Sequence, residues 1–147
     1  MIVPQPVWDY LKSVAEGRDQ QKHDYASSRY WNPESHFHGL LGEWAYGIMI
    51  GEQPNYELIA KGDDGYDFGN VDVKTSTHPD PDLKVTASNP FTLYVLMHLI
   101  VSGRQVIYKG WAFDRDFHDP TRARVVDYGY GPRVVIHWSN LRPGMPT

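Results

Sequence analysis

Residues 91–102 read FTLYVLMHLIVS, a run with apolar side chains at both odd and even positions and a single histidine, His98, inside it. Strand side chains alternate between two faces, so a strand that is apolar on both needs cover on both. Such a segment belongs in the middle of a sheet. It is also too short to span a bilayer as a helix, which takes about 20 residues. A chain of 147 residues supplies the missing layers within one domain, a length that buries roughly 70% of the unfolded surface.

The flanking sequence fits that demand. Residues 6–17 (PVWDYLKSVAEG) predict a helix with Val7, Leu11 and Val14 on one face and Gly17 as its stop. Residues 18–30 are polar and read as loop or short helix. In NPESHFHGLLGEWAYGIMIG, residues 32–51, Asn32 can cap a second helix, Pro33 suits the first helical position and Glu34 favours the dipole. Its expected apolar stripe is Leu41, Trp44, Ala45 and Ile48. The period then changes to that of strands. A short strand is predicted over 56–60, a turn over 61–65 and a second strand over 66–76, ended by the prolines of THPDPD at 77–82. Beyond the central run, Ser102-Gly103-Arg104 predicts a hairpin turn into a strand ending at Phe113. One helical turn is expected over 114–118 and a last strand over 133–138. The fold class expected is α/β, a sandwich with a central mixed β-sheet flanked by helices. Trp111 and Trp138 lie in strand patterns and are expected in the core. Tyr128 and Tyr130, in DYGYGPR, are expected on an exposed loop where they could stack on bases.

The chain has no cysteine, which removes disulfides, thiolate metal sites and a cysteine nucleophile and suits a reducing interior. Its first ten residues, MIVPQPVWDY, show no basic region followed by an apolar stretch, so no signal peptide is expected. A soluble, cytoplasmic protein with no membrane partner is the expectation. Net charge is −4 with a pI near 5.9, unlike a generic polyanion binder. The charge is uneven, however. Residues 1–99 carry 7 Lys and Arg against 14 Asp and Glu, and residues 100–147 carry 7 against 4. Several of those later cations are arginines that could meet phosphate.

The stretch GYDFGNVDVKTST, residues 65–77, places two carboxylates and an ammonium close together. Strand period puts Asp72 and Lys74 on one face and Val71 and Val73 on the other, and Gly69-Asn70 can turn Asp67 back toward Asp72. Two carboxylates ~4 Å apart repel by about 4 kcal/mol at an effective dielectric near 20. A divalent cation reverses that cost, and hard oxygen donors suit Mg²⁺ or Mn²⁺. Upstream, Glu43 lies mid-helix among Gly39, Gly42 and Gly47, each of which costs about 1 kcal/mol relative to alanine. Their number suggests a close approach at that helix face. Other chemistries lack a motif. A calcium loop counted from Asp63 puts Gly65 at a ligand position and Lys74 where the bidentate Glu belongs. No phosphate-cradling glycine loop precedes Lys74-Thr75, no HExxH is present, and His36 and His38 diverge on a helix. No Gly-x-Ser-x-Gly occurs, so serine-hydrolase chemistry has no motif to stand on.

A helical Glu, then Asp, then Asp-x-Lys on a strand resembles the PD-(D/E)xK nuclease superfamily. Glu43, Asp67 and Asp72-Val73-Lys74 match in order and type, and the sequence 73–76, VKTS, is a local form frequent in that family. Tyr66 stands where the family has proline, and five residues from Asp67 to Asp72 is a short spacing, which keeps Asp63 and Asp64 as alternative ligands. The resemblance covers about residues 33–113, with 114–147 as a basic C-terminal extension of a single domain. It implies a restriction-endonuclease-like fold and Mg²⁺- or Mn²⁺-dependent phosphodiester hydrolysis, in DNA first with RNA left open, by an endonuclease rather than an exonuclease. Catalysis would fall to Glu43, Asp67, Asp72 and Lys74. Asp67, Asp72 and the Val73 carbonyl would hold metal, Glu43 a second ion or its water shell, and Lys74 would orient water. Nucleic-acid contacts are expected from His36, Thr75, Ser76, Arg122, Arg124 and Arg133. Little chain remains for reading a target, so a homodimer or a subunit of a larger complex is expected. The competing reading is a nuclease-like module without activity that binds nucleic acid or a partner protein.

Overall fold

The computed structural model describes residues 1–23, 33–52, 68–85 and 89–146. Internal contacts divide the chain into two compact units, Met1–Asp67 with Leu99–Val106, and Phe68–His98 with Ile107–Thr147. The architecture is mixed α/β, with two helices, a mixed sheet and an antiparallel sheet among the described residues. None of the described helices is long and apolar enough to cross a membrane.

In the first unit, helix α1 spans Gln5–His23 and helix α2 spans Pro33–Met49. The backbone of α1 runs past Gly17, the expected stop, because RDQQKH is rich in helix formers. A Cβ added at Gly17 would meet nothing within 4 Å. Leu11 and Ala15, four apart, are buried from α1, and Trp8 meets Phe37 of α2 edge-on with centroids 4.8 Å apart. Leu41, Trp44 and Ala45 are buried as expected, joined by Phe37, Leu40 and Tyr46, whereas Ile48 is exposed. The helix ends in a Schellman arrangement: Gly51 at φ +78° allows Glu52 N–H to reach Gly47 O at 2.9 Å and Gly51 N–H to reach Ile48 O at 3.2 Å. Asn32, the expected cap, lies outside the described residues, as do the strand expected at 56–60 and the turn at 61–65.

In the second unit, β1 (Val71–Ser76) pairs in parallel with β3 (Leu93–Ile100), whose other neighbour is β4 (Gln105–Phe113). The apolar run is thus the central strand, and Tyr94 to Leu99 are all buried. Val101–Gly103, which belongs to the first unit, forms a 3-10 turn closed by Arg104 in the left-handed region, the only non-glycine at positive φ among the described residues. A second sheet, β2 (Asp82–Lys84), β6 (Pro132–His137) and β5 (Ala123–Asp127), is antiparallel. The two sheets share a core of Leu83, Tyr94, Leu96, Ala112, Ile136 and Leu141. This differs from one central sheet. Neither β2, three residues long, nor β5, with Arg124 and Val125 exposed, has an apolar pattern that sequence can detect. Residues 114–118 form the expected helical turn, of 3-10 type. Residues 114–146 also supply β5, β6 and Leu141 to the core.

The segment after β6 returns to β4 through Trp111 and Arg142, each donating its backbone N–H to the other's carbonyl at 3.2 and 2.8 Å. Gly110, at φ +135°, makes room for it, since a Cβ there would stand 2.8 Å from Leu141 Cβ and 2.9 Å from Arg142 O. The Arg142 guanidinium then grips Asp116, with Nε–Oδ2 at 2.8 Å and Nη2–Oδ1 at 2.9 Å. The Asp116 carboxylate is only 2% exposed and also accepts the Phe113 N–H at 2.9 Å. Burial works to raise the Asp116 carboxyl, but the Arg142 and Phe113 hydrogen bonds and the charges of Arg142 and Arg122 hold it below its ordinary value.

Two outcomes follow. Gly110→Ala combines a positive φ with a backbone clash and should cost about 2–4 kcal/mol of stability, read as a lower denaturant midpoint at unchanged slope. Asp116→Asn should cost about 3–5 kcal/mol by leaving Arg142 unpaired. Because the folded carboxyl lies below its unfolded value, this contribution is fully present above about pH 4 and drains away as pH falls through the folded value. Urea midpoints measured against pH should therefore fall more steeply on acidification in the wild type than in Asp116→Asn.

Candidate active site

Strand β1 presents Asp72 and Lys74 on one face, as the alternation requires, with Lys74 Nζ 3.1 Å from Asp72 Oδ2. Both side chains are about half-exposed, at 40% and 42%. The parallel register sets Asp72 opposite Tyr94 and Lys74 opposite Leu96, so the pair shares its sheet face with Tyr94 and Leu96 of the inter-sheet core. Burial raises the Tyr94 phenol above its ordinary value, and the charges of Asp114 and Asp72 push the same way. The Gly69-Asn70 turn expected before β1 is present: Gly69 has φ +66° and Val71 N–H reaches Phe68 O at 3.3 Å.

The ladder also fixes where the Val73 carbonyl points. Leu93 N–H donates to Asn70 O at 2.8 Å, and peptide groups along a strand alternate between its two sides. Those of Asn70, Asp72 and Lys74 therefore face β3, while those of Val71, Val73 and Thr75 face the side of β1 away from β3. Among the described residues β1 is the edge of its sheet. The Val73 carbonyl is left outside the β1–β3 pairing.

The other expected residues divide. Asp67, with its alternatives Asp63 and Asp64, lies outside the described residues, as does Tyr66. Glu43 sits in α2, partly buried, with one carboxylate oxygen inaccessible, and His36 occupies the same helix two turns earlier, also partly buried. A Cβ at Gly39 meets nothing within 4 Å, so close packing does not account for that glycine, whereas Gly42 and Gly47 are buried. Thr75 follows the Val73 face and its hydroxyl is buried, so it does not share the Asp72 face as a substrate contact would. Ser76 does share that face, and its Oγ accepts the His78 N–H at 3.2 Å. Among the described residues no three His, Asp or Glu side chains are grouped to hold a metal.

The arginines expected to meet phosphate are mostly committed elsewhere. Arg122 donates to Asn140 O at 2.9 Å and lies 4.0 Å from Asp116. Arg124 Nη2 donates to both Asp82 carboxylate oxygens, at 2.9 and 3.1 Å. Arg133 is exposed and lines a cavity of about 300 Å³ with Asp114, Phe117 and His118. Tyr130 is 84% exposed, as expected, but Tyr128 donates its hydroxyl to Asp82 and lies under the Lys84 ammonium, 4.0 Å from its ring centroid. Trp111 is buried, while Trp138 is 37% exposed, contrary to its expected place in the core. A second cavity, about 360 Å³ in the helical unit, is walled by Trp8 and Phe37 and rimmed by Lys12, Glu16, Glu34 and His38. Burial lowers the His38 imidazole below its ordinary value, against the opposing charge of Glu34.

Asp82 is the hub that sequence reasoning missed, since THPDPD reads only as a strand breaker. The Tyr128 phenol is pushed up to about 12 by burial and then by its hydrogen bond and proximity to Asp82. A proton held more tightly in the folded state stabilises it below the unfolded value near 10, and that contribution is lost as pH rises toward 12. Ultraviolet titration should show a late phenolate transition that disappears in Tyr128→Phe and moves to lower pH in Asp82→Asn.

No protein-family model, no curated protein and no solved structure matches this chain.

Proposed function

We propose that this chain is a Mg²⁺- or Mn²⁺-dependent nuclease with a restriction-endonuclease-like arrangement, hydrolysing phosphodiester bonds in DNA. One observation carries the reading. Asp72 and Lys74 lie on one face of β1 with Nζ and Oδ2 3.1 Å apart, and β3 does not use the carbonyl of Val73, between them in the chain. An ionised carboxylate and a peptide carbonyl are the hard oxygen donors that Mg²⁺ prefers. A bound ion would supply a Lewis acid and lower the pKa of a coordinated water. Asp72 and the Val73 carbonyl would hold it. Lys74 carries three N–H donors and no acceptor, which suits it to orient a water and to offset charge on the scissile phosphate. Recognition of a target then falls to a second copy of the chain or to a larger complex.

The same geometry sets the controls. An ion pair this exposed contributes at most about 1 kcal/mol to folding, so Asp72→Ala and Lys74→Ala should remain folded. Loss of activity in either can then be read as chemistry. Supercoiled, linear, single-stranded and branched DNA, and RNA, should be incubated with Mg²⁺ or Mn²⁺ and, in parallel, with EDTA. Wild-type protein should cut at least one DNA form only with metal, and each variant should lose about 100-fold or more. Equal cutting by the variants, or no cutting by wild type, sinks the enzyme reading. DNA binding without cleavage would make the chain a binding module.

A further inference from the structure

Outside that site, the second unit assembles a serine, a histidine and an aspartate that sequence order does not suggest. Ser139 Oγ lies 2.6 Å from His137 Nδ1, and Asp80 Oδ1 lies 2.7 Å from His137 Nε2. The tautomer follows from the backbone. Nδ1 already accepts the Ser139 N–H at 3.3 Å, so it carries a lone pair and the ring proton sits on Nε2, donated to Asp80. Nδ1 is therefore the acceptor for the Ser139 hydroxyl proton. Asp80 is fixed in turn by the Trp138 indole N–H at 2.7 Å, and the chain on either side of it by Trp138 N–H to Pro81 O at 3.1 Å and Asp80 N–H to His78 Nδ1 at 3.0 Å. Nucleophile, base and orienting acid are thus in hydrogen-bonded sequence, which is the arrangement that activates serine, whatever the order in the chain.

We infer that Ser139 is a base-activated nucleophile that takes acyl groups from small activated esters. The Ser139 Oγ forms a bond to the acyl carbon as its proton passes to His137 Nδ1. The carbon–oxygen bond to the leaving phenol breaks, and the phenolate takes that proton or departs as the anion while Nδ1 gives the proton to solvent. Water then attacks the acyl carbon, gives a proton to Nδ1 and releases the carboxylic acid with Ser139 restored. Asp80 is a positioning residue: it holds the Nε2–H tautomer and offsets the positive charge that forms on the ring. Two features choose the substrate class. Ser139 and Trp138 are exposed, so no pocket selects a long acyl chain. The N–H groups of Trp138, Ser139 and Leu141 in this 3-10 turn already have acceptors. They make no oxyanion hole, which favours aryl esters with good leaving groups over peptides or alkyl esters.

The test is acylation of the intact protein by p-nitrophenyl acetate, followed by peptide mass mapping and phenolate release. Wild type should carry an acetyl group on Ser139, and Ser139→Ala, which removes one exposed hydroxyl, should abolish it. His137→Gln and Asp80→Asn should slow acetylation about 10-fold or more. Nitrogen NMR of the His137 ring separates positioning from mere structure. The wild type should show an unprotonated Nδ1 and a protonated Nε2, and Asp80→Asn should mix the two forms. Asp72→Ala should acetylate like wild type, so a failed nuclease assay leaves this result independent. An unmodified Ser139 in wild type, equal rates in His137→Gln, or a protonated Nδ1 would overturn the inference.

Discussion

The second unit depends on one buried ion pair. Asp116, 2% exposed, would be costly to bury alone, and Arg142 makes it tolerable by meeting both its oxygens. The planar guanidinium also lies over the Phe113 and Trp111 rings, 4.9 and 5.8 Å from their centroids. A lysine at 142 could provide the charge but neither the fork nor the stack. Because Arg142 is held by its side chain and by the backbone bridge to Trp111, its neighbour Leu141 is delivered into the inter-sheet core. Gly110 is what permits the approach. A pair of this kind adds little net stability over an apolar equivalent, yet removing one partner is severe. Its role is to fix which segment closes the core.

The connection from β1 to β2 shows how composition can mislead. Pro79 and Pro81 end the first strand, as their chemistry demands. The aspartates between and after them, however, are the links from that connection to the second sheet. Asp80 meets His137 at the end of β6 and Trp138 just after it, and Asp82 meets Arg124 and Tyr128 of the β5–β6 hairpin. A sequence of proline and aspartate announces a break. It does not announce what each carboxylate will reach across 42 or 57 positions of chain.

That contrast sets what was legible. The central strand was, because Tyr94 to Leu99 are apolar on both faces apart from His98, and burial on both sides leaves few alternatives. The helical turn at 114–118 and the Asp72–Lys74 face were also legible, since both follow from local period. The second sheet was not. In β5 the exposed Val125 opposes the exposed Val134 of β6, so neither strand alternates in the way that marks a buried face. Trp138 was misplaced for a related reason. Its indole N–H finds Asp80 and its ring finds the Lys109 ammonium at 4.2 Å, which satisfies it at the surface. The candidate site is legible only as a half: β1 supplies Asp72, Val73 and Lys74, and its expected partners come from other segments.

The basic character of residues 100–147 also has a physical location that differs from a count of arginines. Arg122, Arg124 and Arg142 face Asp116 and Asp82, which cancels much of their field. Lys109 and Arg115 instead lie over aromatic rings, of Trp138 and Phe113, as Lys84 of β2 lies over Tyr128. An ammonium or guanidinium on a ring face keeps its full charge while its conformations are restricted. For the proposed action on a polyanion this matters more than the total. A chain of net charge −4 cannot draw in DNA from a distance, and beyond about 8 Å at physiological salt such fields are screened. Attraction must then come from short-range cations that no carboxylate has claimed, each contributing roughly one unit to the salt dependence of binding. Among the described residues the ring-stacked lysines and Arg115 meet that condition, and the paired arginines do not.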